Sequence, residues 1–242
     1  HNVAIGYNAL KVHTTGNSNT AIGYGAMDDN DAGSTSLGSG DNVFIGEHAG
    51  GGTWADAASN GNVGIGNNVM DAAMNGALNN VGVGQAALGA LTSGDYNVAI
   101  GQAGKAMTTG QRNVMIGHAS VNVSTDVDRV VSIGHSALGD GDLGSGLDGT
   151  VAIGYNCMSS LINGARNTAL GYQAGAKLTG GGDNTFIGYQ AGLQDTYGAT
   201  TAERNVAVGA HAFGGGAGAN ITGKNNTAIG CESMLEAEGI VS

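Results

Sequence analysis

Apolar and polar positions along this chain fall into one short figure that returns thirteen times. An aliphatic or threonine residue, a small, aromatic or (once) methionine residue and a second aliphatic residue precede a glycine, and an asparagine stands before the triplet in eleven copies. The central glycines are Gly6, Gly23, Gly46, Gly66, Gly84, Gly101, Gly117, Gly134, Gly154, Gly171, Gly188, Gly209 and Gly230, at spacings of 16 to 23 residues, five of which are 17. A fixed motif with variable spacers reads as a solenoid, with one coil per repeat and insertions confined to the loops. β-Branched residues two positions apart follow the period of a strand. Each copy therefore predicts one short strand, and the chain predicts an all-β, parallel β-solenoid or β-roll with one coil per 16–23-residue repeat. Residues 1–242 are expected to form a single continuous array, a segment of a longer fibrous protein.

The outer columns of the triplet hold nine Val and four Thr, then ten Ile, two Val and one Leu. They are expected to line the coil's own core, with Val3, Ile5, Val98, Ile100, Ile153, Leu170, Ile187 and Ile229 as representatives. Gly6, Gly101, Gly154, Gly171, Gly188 and Gly230 take the corner beside them, where a side chain would be excluded. The column between holds Phe44, Ala99, Met115, Ala152, Ala169, Phe186 and Ala207, and none of its thirteen members is charged. A strand with one wet face would alternate apolar and polar residues. The middle column is therefore expected to pack against sister chains in a homo-oligomer. A second reading, in which these small residues line another interior face of one chain, stays open beside it.

The residue after each glycine repeats by type on successive copies. Tyr7 and Tyr24, Gln85 and Gln102, His118 and His135, then Tyr155, Tyr172 and Tyr189 predict side-chain ladders along the coils, where rungs lie about 4.8 Å apart. The asparagine before the triplet suits a turn, its amide bonding locally or along the ladder. The spacer Asp71–Leu78 is rich in Ala and Met and admits one helical turn. Ser34–Gly38 reads as a decayed copy, and Trp54 as a cap tucked against a rung.

Composition adds limits. Glycine is 47 of 242 residues without the every-third-residue period of collagen, and proline is absent. The net charge of −11 and pI near 4.6 argue against a nucleic-acid partner. No apolar run of 18 residues is present, so no membrane insertion is expected. Cys157 and Cys231, about four coils apart, are expected to be packing residues and not a bridge.

Candidate chemistry is thin. His118 and His135 share a column on adjacent copies and form the one weak metal-site candidate, with a stacked pair as the plainer reading. Gly139–Gly144 spells GDGDLG, but its aspartates would repel phosphate and the fold context of a dinucleotide site is missing. Asp140 and Asp142 with Asp148 offer carboxylates for calcium without the spacing of a known loop. Ser120 near His118, and Ser132 near His135, lack an acid to orient a base. No enzyme, no catalytic residue and no cofactor is expected.

The repeats NTAIGYGAM (residues 19–27), NTALGYQAG (167–175) and NTFIGYQAG (184–192) resemble those of phage tail-fibre shafts. Such repeats are found upstream of endosialidase-type intramolecular chaperone domains. They are also similar to the NSVAIG-type head repeats of trimeric autotransporter adhesins. The resemblance implies a homotrimer of left-handed β-rolls, intertwined or side by side, exposed to the extracellular medium. On the fibre side it implies a shaft in a virion that projects a receptor-binding tip for host attachment. Its partners would be its own copies, other tail or baseplate proteins, and a host cell-surface glycan. On the adhesin side it implies a bacterial surface adhesin or extracellular filament subunit.

Overall fold

The computed structural model describes residues 1–29, 38–54, 57–139, 146–193, 202–214 and 223–234. Thirteen three-residue strands fall on the thirteen motif copies. They are β1 (Val3–Ile5), β2 (Thr20–Ile22), β3 (Val43–Ile45), β4 (Val63–Ile65), β5 (Val81–Val83), β6 (Val98–Ile100) and β7 (Val114–Ile116), then β8 (Val131–Ile133), β9 (Val151–Ile153), β10 (Thr168–Leu170), β11 (Thr185–Ile187), β12 (Val206–Val208) and β13 (Thr227–Ile229). The chain forms two compact units, His1–Ile116 and Gly117–Ser242. In the first, β1 to β7 pair in parallel and in chain order, with Ala4 opposite Ala21, Ala21 opposite Phe44, and Ala99 opposite Met115. In the second, β8 to β13 do the same, with Ala152 opposite Ala169, Ala169 opposite Phe186, and Phe186 opposite Ala207. Each unit is a parallel β-solenoid in which equivalent residues of successive repeats are neighbours.

The turn after each strand is tight and left-handed in its dihedrals. At every copy but that of Gly101, residues two and four places after the motif glycine take positive φ, as at Gln173 (53°) and Gly175 (59°), or Asn156 (50°) and Met158 (46°). Non-glycine residues adopt this region only at a cost, so the surroundings must hold them there. Rung-to-rung hydrogen bonds supply part of that hold, from Gln173 N to Tyr155 O (2.9 Å) and from Met158 N to Ala174 O (3.0 Å). The spacer Asp71–Leu78 contains no helical turn. With Gly76 at φ 83° and rung-to-rung bonds at Asn75 and Gly76, its backbone is committed to the neighbouring coils. Residues 34–37 of the decayed copy lie outside the described residues.

The core is the reverse of the sequence expectation. The middle column is buried within a single chain at every strand except β1, and Phe44, Ala99, Met115, Ala152, Ala169 and Ala207 are wholly inaccessible. No member of the two flanking columns is buried. Val3, Ile5, Ile100, Leu170 and Ile229 are exposed, Leu170 by 47%, while Val98, Ile153 and Ile187 are half-covered. The residues expected to form the repeat core thus point outward, and those expected to meet a sister chain fill the coil. Facing them inside are the residues three and four places after the glycine, among them Ala87, Leu88, Ala137, Leu138, Cys157 and Met158, with Leu91, Met107 and Leu161 from the spacers. Small residues suit the strand because the turn brings the bulk.

The asparagine column explains why polarity misleads here. Spaced by two from the middle column, it shares the inner face. In the first unit, the Oδ1 of each of Asn42, Asn62, Asn80 and Asn97 accepts both the backbone N–H and the Nδ2–H of the next asparagine, at 2.9–3.2 Å. Each Nδ2 also donates to a spacer carbonyl, as from Asn80 to Gly94 O (2.8 Å). The second unit repeats the arrangement through Asn167, Asn184, Asn205 and Asn226. All of these amides except the half-buried Asn226 are buried, and they are satisfied by one another, so they carry no desolvation penalty of the unpaired kind.

Volumes compensate across the interior. Where the middle column carries Phe44, the fourth residue after the glycine is Gly50, whose Cβ would lie 2.9 Å from the Phe44 ring. Phe186 is matched in the same way by Gly192, at 2.8 Å, and Met115 is given room by Gly104 of the preceding copy, whose Cβ would lie 3.0 Å from it. Other repeats place Met27, Met70, Leu88, Leu138 or Met158 in that position. Phe186→Ala is expected to cost about 3–5 kcal/mol through its cavity. Gly192→Met alone should also destabilise, by driving a side chain into the Phe186 ring. The two together should cost less than their sum, because methionine is accepted there at φ 45–50° in Met27, Met70 and Met158. A double-mutant cycle from urea unfolding measures the coupling.

Candidate functional site

Two surface features are built by the register. The first is the outward face of the strands, where each rung presents Val or Thr and then Ile, Leu or Val. No charged residue interrupts it on any of the thirteen strands. Ile5, Ile65, Ile100, Leu170 and Ile229 are its most exposed aliphatics in the second column. Gly6, Gly101, Gly154, Gly171, Gly188 and Gly230 close the strands at its edge with positive φ, Gly171 at 141°. A Cβ on Gly171 would overlap the carbonyl oxygen of Gly188, so the corner admits glycine alone.

Beside this edge runs the second feature, an aromatic ladder formed by the residue after the glycine. Tyr155 and Tyr172 stack at 5.2 Å between ring centroids with planes 8° apart, and Tyr172 and Tyr189 at 5.3 Å and 10°. His118 stacks on His135 at 5.2 Å, and His135 on Tyr155 at 5.3 Å. In the first unit Tyr7 and Tyr24 stack at 5.5 Å and 15°. His48 and His211, one residue further on, meet the ends of these stacks edge-on at Tyr24 and Tyr189. An amide pair runs alongside, Gln190 Nε2 donating to Gln173 Oε1 at 2.8 Å.

Ion pairs on the opposite flank of the strands link one coil to the next. Arg129 forms a two-pronged bond with Asp148, and Arg166 with Asp183 at 2.6 and 2.9 Å, while Lys224 meets Glu203 at 2.8 Å. The Arg166 guanidinium, hydrogen-bonded to Asp183, holds that carboxyl below the usual carboxylate range, and Arg129 does the same to Asp148. All four groups are well exposed, so the pairs add little stability. Sequence reasoning did not find them, although Arg166 and Asp183 both stand directly before the asparagine of successive copies.

His118 and His135 are members of the aromatic stack, and among the described residues no group of three or more His, Cys, Asp or Glu is placed to hold a metal ion. Asp148 is engaged by Arg129, and Asp140 and Asp142 of the GDGDLG stretch lie outside the described residues. Ser120 donates to Ser132 O (3.0 Å) and Ser132 to Ala137 O (2.8 Å), both buried, so these hydroxyls serve the interior and not a histidine. Trp54 is buried with its ring edge-on to Phe44 at 5.8 Å. Cys157 and Cys231 are free thiols, and burial pushes the Cys157 thiol up to about 12. No described helix is long and apolar enough to cross a membrane.

No family model, no curated protein and no solved structure matches this chain.

Proposed function

We propose that this chain is a non-catalytic structural element, a shaft segment of an extracellular fibre of the phage tail-fibre kind, built by three parallel copies meeting along the outward strand faces. The observation that carries the reading is the uncharged, in-register Val/Thr and Ile face that a lone chain leaves in water. Fully burying one isoleucine is worth about 1.5–3 kcal/mol, and every rung of the face offers an exposed or half-covered Ile, Leu or Val. A surface repeating at the rung spacing is matched over its whole length only by another surface of the same period. Copies of this chain supply that match. For rungs to stay in register the symmetry axis must run along the coils, which gives a closed ring about the fibre axis and not a two-fold pair of opposed coils. The number three, the left-handed sense of the coil, the virion setting and attachment through a distal tip to a host glycan rest on the resemblance of the NTALGYQAG and NTFIGYQAG repeats.

Sedimentation equilibrium of the purified chain is expected to give a trimer. Replacing Ile65, Ile100 and Leu170 together by aspartate should give a monomer that keeps its β-sheet circular dichroism, because these side chains lie outside the coil's own core. A wild-type chain that stays monomeric at high micromolar concentration would refute the shaft.

A further inference from the structure

The tyrosine ladder is a built arrangement of phenols that the proposed shaft does not use. Tyr155, Tyr172 and Tyr189 stand on three successive rungs with centroids 5.2 and 5.3 Å apart and planes within 10° of parallel. Each is exposed by between 44% and 49%. The backbone beneath fixes them: Gln173 N bonds Tyr155 O, Gln190 N bonds Tyr172 O, and the strands just before them pair residue for residue. Two exposed tyrosines on an ordinary surface meet only through collision. Here each ring already has a neighbour at contact distance, and pre-alignment of this sort raises the effective concentration of reacting groups by orders of magnitude.

We propose that this ladder is a site of oxidative tyrosine–tyrosine cross-linking within one chain, joining Tyr172 to Tyr155 or to Tyr189 and so tying adjacent coils covalently. The oxidant is a peroxide-driven haem peroxidase or an equivalent one-electron acceptor. Each of two phenols gives up one electron and its hydroxyl proton. The two phenoxyl radicals then join ring carbon to ring carbon at the positions ortho to oxygen. The hydrogens on those carbons move to the oxygens and restore both phenols. One hydrogen peroxide takes up the two electrons and two protons and leaves as two waters. Face-to-face packing exposes ring edges and occludes ring faces, so the stack favours coupling at the ortho carbons over binding a flat ligand between rings. Tyr7 and Tyr24, at 5.5 Å and 15°, form a second and shorter site of the same kind. Tyr96 has no tyrosine neighbour among the described residues and packs under the Arg112 guanidinium at 5.9 Å, so it serves as an internal control.

The test treats the intact chain with horseradish-type peroxidase and hydrogen peroxide, followed by proteolysis and mass spectrometry. The expected products are linked peptides joining Tyr155 to Tyr172 and Tyr172 to Tyr189, each lighter than its separate parts by two hydrogens. After boiling in SDS the chain should migrate as a monomer, since the bonds lie within it. Tyr172→Phe should abolish both products, Tyr155→Phe only the first, and Tyr96→Phe neither. Protein oxidised in denaturant should lose these particular linkages, a comparison that holds even if Tyr172→Phe folds poorly. Linked peptides equally abundant from unfolded chain, linkages found only between chains, or tyrosine oxidation without ladder products would each overturn the proposal. The aspartate-substituted monomer described above should still cross-link, so failure here and failure of the trimer are told apart.

Discussion

Asn80→Leu is expected to destabilise the first unit by about 3–5 kcal/mol, whereas Asn67→Leu, on the surface one turn away, should change it by less than about 0.5 kcal/mol. The side chain of Asn80 is wholly buried and makes four hydrogen bonds. Its Oδ1 accepts Asn97 N–H (2.9 Å) and Asn97 Nδ2–H (3.0 Å), and its Nδ2 donates to Asn62 Oδ1 (3.0 Å) and Gly94 O (2.8 Å). Leucine has nearly the same shape and none of these partners. The substitution leaves a backbone N–H at Asn97 and a backbone carbonyl at Gly94 facing hydrocarbon, and each buried polar group without a partner costs about 1–3 kcal/mol. Asn97 retains one donor bond, to Gly110 O at 2.7 Å, so the ladder is cut at one rung and not along its length. Urea denaturation followed by circular dichroism gives both values. Equal effects from the two substitutions would mean that the buried amides do not hold the coils together.

The same amides show why the fold was legible in the sequence and the direction of its faces was not. Strand position, pairing direction and the stacking of like residues follow from thirteen copies of one motif, and β1 to β13 fall on the aliphatic triplets. The tyrosine and histidine ladder was likewise readable, because Tyr155, Tyr172 and Tyr189 repeat at one position of the motif. A period of two, however, sorts residues into two sets without saying which set is inside. The usual guide, aliphatic in and polar out, fails where a polar residue finds its partner in the neighbouring coil. Asn42, Asn62 and Asn80 are satisfied by one another, so they go in and take Phe44 and Ala99 with them, and Val98 and Ile100 are left facing out. One signal for this was present in the letters. Phe44 is followed by Gly50 and Phe186 by Gly192, where seven of the other eleven copies carry Met or Leu, which is volume compensation within a single interior. The ion pair Arg166–Asp183 carried a signal of the same kind, both residues standing directly before the asparagine of successive copies, whereas in Arg129–Asp148 the aspartate lies one position further from its glycine than the arginine does.

Gly171→Ala is expected to be the more damaging of two chemically identical changes, lowering stability by more than about 4 kcal/mol, with Gly230→Ala costing about 1–3 kcal/mol. Both glycines close a strand at positive φ, 141° and 119°, where a side chain is strained on any residue. That strain is common to the two and sets the smaller cost. At Gly171 the next coil lies directly against the glycine, and a Cβ would overlap the oxygen of Gly188 and come within 2.7 Å of its carbonyl carbon. The obstructing atoms are backbone, and they are held in turn, because Gly188 N donates to Leu170 O at 2.8 Å. Relief therefore requires the coils to part and to give up that bond along with the Thr168–Thr185 register beside it. At Gly230 nothing described lies within 4 Å of the added atom, and only the dihedral penalty remains. The gap between the two variants isolates close coil-to-coil contact from backbone conformation, and thermal unfolding of each against wild type measures it. Equal losses would assign the motif glycine to its dihedral angle alone, and the close approach of successive coils would not be what requires it.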